Sequence, residues 1–254
     1  MNYTAVVLAG SRLGGDPLAT RFNQDFKALI AVAGKAMVRW PVEALLACPE
    51  VERVIVVTQQ PETLRAALPG DPRVEMRPSQ ATIADTIARL IADKAARFPL
   101  LVTTADHALL TPAMIAEFVA KADGADLAIG LVEQGVMRAR FPAATRTWIG
   151  FKGGRYSGAN LFTVASAKVL PVVERWRSVE QDRKRGWRVL AALGPALLLG
   201  AVLKLRTLDQ SAAAVGRKLG LSIRAVQLSD PLAAVDIDKP EDHALAEAIL
   251  MARI

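Results

Sequence analysis

The hydrophobic positions of this chain follow two alternating rhythms. Short runs of apolar and β-branched residues at about 3–9, 52–58, 73–76, 98–104 and 125–132 have the length and make-up of buried strands. Between them, the stretches at about 36–47, 61–67, 80–96 and 111–123 space apolar residues three and four apart, as helices with one buried face do. Strands alternating with helices through short connections predict parallel strands joined by right-handed crossovers. The result is an open, mostly parallel α/β sheet flanked by helices, with a crevice at the carboxyl ends of its strands.

The second half departs from this rhythm. Residues 148–152 and 156–164 read as two strands separated by a turn at Gly153-Gly154-Arg155. Helices are expected at about 165–176 and 179–218, then a short strand near 223–228. In the closing helix Asp238 is the expected N-cap and Pro240 lies in the first turn. The chain has 254 residues, 52% of them hydrophobic, and reads as a single domain over 1–254 with a helical insertion or subdomain at about 165–222. The longest apolar run, Val189 to Leu203, is interrupted by Gly194, Pro195 and Gly200. It is shorter than the roughly 20 residues that span a bilayer, so it reads as a buried or interfacial helical hairpin.

Composition narrows the setting. The N-terminal Met1-Asn2-Tyr3-Thr4 runs straight into the first strand without a basic region or a cleavage site, and Cys48 is the single cysteine. A cytoplasmic protein is expected, with Cys48 filling core space. The net charge of +7 is concentrated late in the chain, where Arg175, Arg177, Arg183, Lys184, Arg185, Arg188, Lys204 and Arg206 crowd together. An anionic partner follows, but charge alone does not choose among a nucleotide, a phosphorylated substrate, nucleic acid and a membrane surface.

The most informative stretch is Leu8-Ala9-Gly10-Ser11-Arg12-Leu13-Gly14-Gly15, with Lys27 further on. Glycines directly after a strand let backbone N–H groups approach an anion, and Arg12 and Lys27 supply positive charge for a triphosphate. Two better-known phosphate motifs are excluded. Gly34-Lys35 is followed by Ala36 rather than Ser or Thr, and Gly10-Ser11-Arg12 breaks the dinucleotide fingerprint. At a second strand end, Thr103-Thr104-Ala105-Asp106-His107 delivers a carboxylate, and Asp236 and Asp238 bring two more from far along the chain. Phosphate donors, cations and carboxylates in one crevice suit Mg²⁺ held between protein oxygens and nucleotide phosphates.

In combination these stretches resemble the nucleotidyltransferase superfamily of GT-A type, Rossmann-like fold, nearest to the MobA-like NTP transferases typified by molybdenum-cofactor guanylyltransferase. The resemblance is carried by Leu8-Ala9-Gly10 with Arg12 and Gly14, by Lys27 with Gly34-Lys35, by residues 104–112 and by residues 236–242. It implies an enzyme moving a nucleoside monophosphate from an NTP to a phosphorylated small-molecule acceptor, with Mg²⁺ as cofactor and pyrophosphate released. GTP or CTP is favoured. Leu8, Ala9, Gly10, Ser11, Gly14 and Gly15, with Ser79 and Thr82 opening the third helix, would bind the nucleotide. Arg12, Lys27 and Asp106 would be catalytic, and Asp106 and Asp238 would hold the metal. Ser157 and Asn160, on a small-residue turn, are candidates for lining the acceptor pocket.

Two alternatives come from other classes. A glycosyltransferase of the same fold would use an activated nucleotide sugar, often through an Asp-x-Asp metal site that Asp106-His107-Ala108 lacks. Residues 211–226 have the outline of a DNA-binding helix-turn-helix around Gly220. Their second half alternates as a strand does and soon reaches Pro231, so no nucleic-acid partner is expected. The basic region at 175–206 allows peripheral contact with an anionic membrane.

Overall fold

A computed structural model describes residues 2–11, 15–92, 96–142, 146–174 and 205–253. The expected strands are present as β1 (Tyr3–Leu8), β4 (Val51–Thr58), β5 (Val74–Pro78), β6 (Leu100–Thr104) and β7 (Leu127–Glu133). The late hairpin forms β8 (Ile149–Phe151) and β9 (Gly154–Val164), and β10 spans Ile223–Gln227. A small antiparallel pair, β2 (Ala31–Val32) and β3 (Lys35–Ala36), stands apart. The main sheet runs β10-β7-β9-β6-β1-β4-β5, with β8 on β9. β6, β1, β4 and β5 are parallel, as are β10 and β7, whereas β9 runs antiparallel to both β6 and β7.

Alternate residues of each strand feed two cores. Ala5 and Val7 of β1 and Val54 and Val56 of β4 face one layer, where α2 (Arg39–Leu46), α5 (Pro112–Ala122), α6 (Gln134–Arg140) and α8 (Pro240–Met251) pack. Val6, Ile55 and Val57 face the other, against Ile87, Leu90 and Ile91 of α4 (Ile83–Ala92) and Leu219 of α7 (Leu208–Leu219). Burial on both faces is why these strands read as continuous apolar runs. Two short helices, α1 (Pro17–Arg21) and α3 (Pro61–Arg65), complete the described elements.

Three expectations change. The helix expected over 179–218 is not continuous in its described part: α7 starts only at Leu208, where Thr207 caps it by a reciprocal bond pair with Gln210. The final helix takes Lys239, not Asp238, as its N-cap, and Asp242 Oδ2 accepts the backbone N–H groups of both Asp238 and Lys239. The second half of the supposed helix-turn-helix is β10, paired along β7, so that alternative falls. The basic apolar stretch 175–204, on which the hairpin and membrane readings rest, lies outside the described residues. No helix among the described residues is long and apolar enough to cross a membrane.

β9 carries a bulge. Its register against β7 jumps between Ile129 and Leu131, and Asn160 inside the bulge has φ of 48°. Gly130 opposite leaves room for it, because a Cβ there would come within 3.1 Å of Leu161 Cβ and 3.3 Å of Leu161 O.

Candidate active site

Parallel strands end together, and backbone bonds hold their ends in one rim. Ala105 N–H donates to Leu8 O, Ala9 N–H to Val57 O, and Ile237 N–H to Asp106 O, so the 236–238 segment is fastened to the end of β6. Lys27 opens a single 3₁₀ turn, Lys27–Leu29, leading into β2. That piece is fastened in turn to α8: His243 Nε2 donates to Ala31 O at 2.7 Å, and its ring lies 4.4 Å from that of Phe22. Lys27, Asp106 and Asp238, far apart in sequence, are thereby brought to one place.

The Lys27 ammonium bridges two carboxylates, at 2.7 Å from Asp106 Oδ2 and 2.5 Å from Asp238 Oδ1. Burial works against its charge, but the attraction and hydrogen bonds of Asp106 and Asp238 outweigh it and hold the lysine above its usual range. Thr104 Oγ1 donates to the other Asp106 oxygen. Asp236 sits behind this pair and is not bonded to Lys27. Arg146 Nη1 donates to Asp236 Oδ1 at 2.8 Å, Arg146 Nη2 to Asp242 Oδ1 at 3.0 Å, and Asn160 Nδ2 to Asp236 Oδ2 at 3.4 Å. Burial first, then the negative charges of Asp238 and Asp106, push Asp236 upward despite Arg146.

Among the described residues Asp106, Asp236, Asp238 and Asp242 thus face Lys27 and Arg146, four acidic groups against two basic ones. An excess of carboxylates of this kind is compatible with a divalent cation. Mg²⁺ needs only one or two protein carboxylates beside substrate phosphates, and Asp106 and Asp238 already converge on one cationic atom. Among the described residues no group of three or more acidic, His or Cys side chains forms a closed metal site.

The remaining predicted residues divide. Gly10 and Ser11 follow β1 at the rim, and Asp16, beyond Gly15, caps α1 through Leu18 N–H and Ala19 N–H. Arg12 and Gly14 lie outside the described residues. Ser79 follows β5 with its N–H on Thr58 O, and its hydroxyl is buried without a hydrogen-bond partner among the described residues. Thr82 is used by the fold: its hydroxyl accepts Asp85 N–H and donates to Asp85 Oδ2 at the start of α4. Asn160 reaches the acidic cluster, whereas Ser157 is buried in the β9 ladder opposite Val132. Lys35 is occupied elsewhere, on Glu43 at 2.7 Å and over the Trp40 ring. Cys48 is buried beside Glu50, and burial with that carboxylate pushes its thiol up to about 12, so it is no nucleophile.

Sequence reasoning missed Arg146 and gave Thr104 no role of its own, although it placed Thr104 beside Asp106 at the end of an apolar strand. Arg146 carries no such signal, being a lone basic residue between α6 and β8.

His107 makes a separate test of this edge. It is wholly buried, with Nδ1 3.3 Å from Thr103 Oγ1, and burial lowers its pKa from 6.5 to about 4 although Asp106 opposes the shift. Unfolded chains take up this proton near 6.5 and the folded protein only near 4. The neutral histidine's contribution is therefore complete above pH 6.5 and lost as pH falls to 4, by up to about 3 kcal/mol. His107→Gln is expected to flatten the stability profile between pH 7 and pH 4.5 in denaturant titrations. Equal slopes for the two proteins would show that His107 is not the group responsible.

The mostly parallel sheet with flanking helices carries a crevice of converging lysine and carboxylates at its carboxyl edge, and the family match below makes the protein an enzyme of the nucleotidyltransferase class. The chain belongs to the MobA-like NTP transferase family, whose domain model matches residues 5–197. A hypothetical transferase from Thermus thermophilus superposes with a TM-score of 0.79 at 29% identity, over 96% of this chain and 100% of that one. The fold is shared with CMP:2-keto-3-deoxy-manno-octonic acid synthetase in complex with CTP, at a TM-score of 0.62 and 13% identity over the whole of both chains. It is also shared with 2-C-methyl-D-erythritol 4-phosphate cytidylyltransferase, again from Thermus thermophilus, at a TM-score of 0.53 and 18% identity over both whole chains. No curated protein matches the sequence.

Proposed function

We propose that the enzyme transfers a nucleoside monophosphate from a Mg²⁺-bound NTP to a phosphorylated small-molecule acceptor and releases pyrophosphate. The observation that carries this reading is the Lys27 ammonium held between Asp106 and Asp238 beside the Gly10-Ser11 strand end. In this reading the NTP lies along Leu8, Ala9, Gly10, Ser11 and Gly15, with Arg12 and Gly14 in the same loop. Ser79, directly after β5, lies on the side of the base or ribose. Lys27 and Arg12 neutralise the phosphates, and Asp106 and Asp238 hold the Mg²⁺, which when bound polarises the phosphoryl oxygens. Lys27 then exchanges carboxylate partners for phosphate oxygens. Asn160 lines the acceptor side, with Ser157 behind it in β9, and GTP or CTP is the favoured donor.

The chemistry needs little from the protein beyond placement. An acceptor phosphate with its second pKa near 6 is already largely dianionic at neutral pH, so its oxygen can attack the α-phosphate without a general base. That agrees with a buried, neutral His107. Alignment and electrostatic stabilisation then supply most of the rate. Of the two structures that share the fold, the 2-C-methyl-D-erythritol 4-phosphate cytidylyltransferase has by its name a phosphorylated acceptor, which supports this acceptor class, whereas the other names an octonic acid without a phosphate.

A thermal-shift screen of the four NTPs with Mg²⁺, followed by pyrophosphate release over sugar and alditol phosphates, tests the reading. Pyrophosphate is expected only when an NTP and an acceptor phosphate are both present. Turnover of a nucleotide sugar with no NTP consumed would replace it by the glycosyltransferase alternative.

A further inference from the structure

Gln59 follows β4 directly, and its side chain reaches across to the strand end that precedes the phosphate loop. The β1–β4 ladder closes at Leu8 and Val57, with one more backbone bond from Ala9 N–H to Val57 O at 2.9 Å. A side chain makes the next rung. Ser11 N–H donates to Gln59 Oε1 at 2.9 Å, and Gln59 Nε2 donates to Ser11 O at 2.9 Å. A primary amide presents donor and acceptor together, as a peptide group does, so Gln59 extends the sheet by one residue pair where the backbones no longer meet.

Gly10 is matched to this bridge. Its φ is not in the left-handed region, so the backbone alone does not call for glycine there. A Cβ at Gly10 would stand 3.2 Å from Gln59 Nε2 and 3.4 Å from Oε1, tighter than ordinary contact. A side chain at Gly10 would press on the Gln59 amide, which would have to give by a few tenths of an ångström.

Resting on the proposed NTP site, we infer that Gln59 is a positioning residue for the nucleotide. It splints the Ser11 backbone to the sheet before the triphosphate arrives. A Ser11 backbone held in advance spares the ordering cost that a free one would meet on binding. The effect falls on NTP affinity rather than on the chemical step.

A double-mutant cycle on the full chain tests this. GTP, CTP, ATP and UTP, each with Mg²⁺, are titrated calorimetrically into wild type, Gln59→Ala, Gly10→Ala and the double variant, with thermal melts alongside. For the best-bound NTP, Gln59→Ala is expected to raise Kd and KM about tenfold while kcat changes by less than about threefold. Gly10→Ala is expected to weaken binding in wild type through pressure on the amide, and to cost less than half as much once Gln59 is alanine. Unaltered NTP affinity in Gln59→Ala, or additive effects in the double variant, overturns the inference alone. A wild-type protein that binds none of the four NTPs overturns the proposed function together with it.

Discussion

Asp106→Ala is expected to reduce pyrophosphate-forming activity by on the order of a thousandfold, because in the proposed site it removes a carboxylate that holds the metal, an effect worth several kcal/mol. Asp238→Ala should have an effect of the same order, since the two side chains meet at one cationic atom from opposite ends of the sequence. Neither change should unfold the protein. Each leaves Lys27 with the other carboxylate as partner, and Asp238 is half exposed, so water replaces part of what is lost. Asp236 provides the contrast. It is bound to Arg146 and Asn160 rather than Lys27, and Asp236→Ala strips a buried arginine of a partner, so its main expected effect is on thermal stability. Circular dichroism melts and pyrophosphate release on the three variants separate these roles. Activity retained in Asp106→Ala would remove the metal reading, and loss in Asp236→Ala with Asp238→Ala unharmed would mean that the second ligand is Asp236.

What can be read from the sequence, and what cannot, follows the range of the interactions. Val6-Val7-Leu8 and Val54-Ile55-Val56-Val57 announce central parallel strands, because both faces of each are buried and the pattern is a local one. A polar residue just past such a run stands at the crevice, which is how Asp106 is found without coordinates. Arg146 has no such mark. Its meaning comes from Asp236 and Asp242, about ninety residues away, which only the tertiary fold brings beside it. The break before α7 is readable as Thr207 followed three residues later by Gln210, a capping pair outweighed by the apolar run before it. Asp238 looks like a cap because it precedes Pro240. The fold gives that task to Asp242, reaching back to two N–H groups, and leaves the Asp238 carboxylate on Lys27. The bulge at Asn160 depends on Gly130 in a different strand, so neither local sequence displays it.

Lys27→Ala is expected to lower kcat/KM for the NTP by more than tenfold, with Lys35→Ala changing it far less. The reason lies in what each ammonium touches. Lys27 is only 16% exposed and is held above its usual pKa range despite burial, by two carboxylates that also belong to the proposed metal site. Its charge persists over any working pH, and an arriving triphosphate offers the same kind of oxygen partners. A charge-assisted contact of this sort contributes about 1.5–3 kcal/mol, and about 1.4 kcal/mol is a factor of ten. Lys35 spends its charge on Glu43 and the Trp40 ring and helps to anchor α2, so its loss should appear in stability instead. Steady-state kinetics of both variants over a range of NTP concentrations, beside their melting temperatures, gives the ranking. If Lys35→Ala proved the more damaging to NTP use, the phosphates would have to lie beside β3 and α2, and the assignment of the Lys27 crevice as the nucleotide site would be wrong.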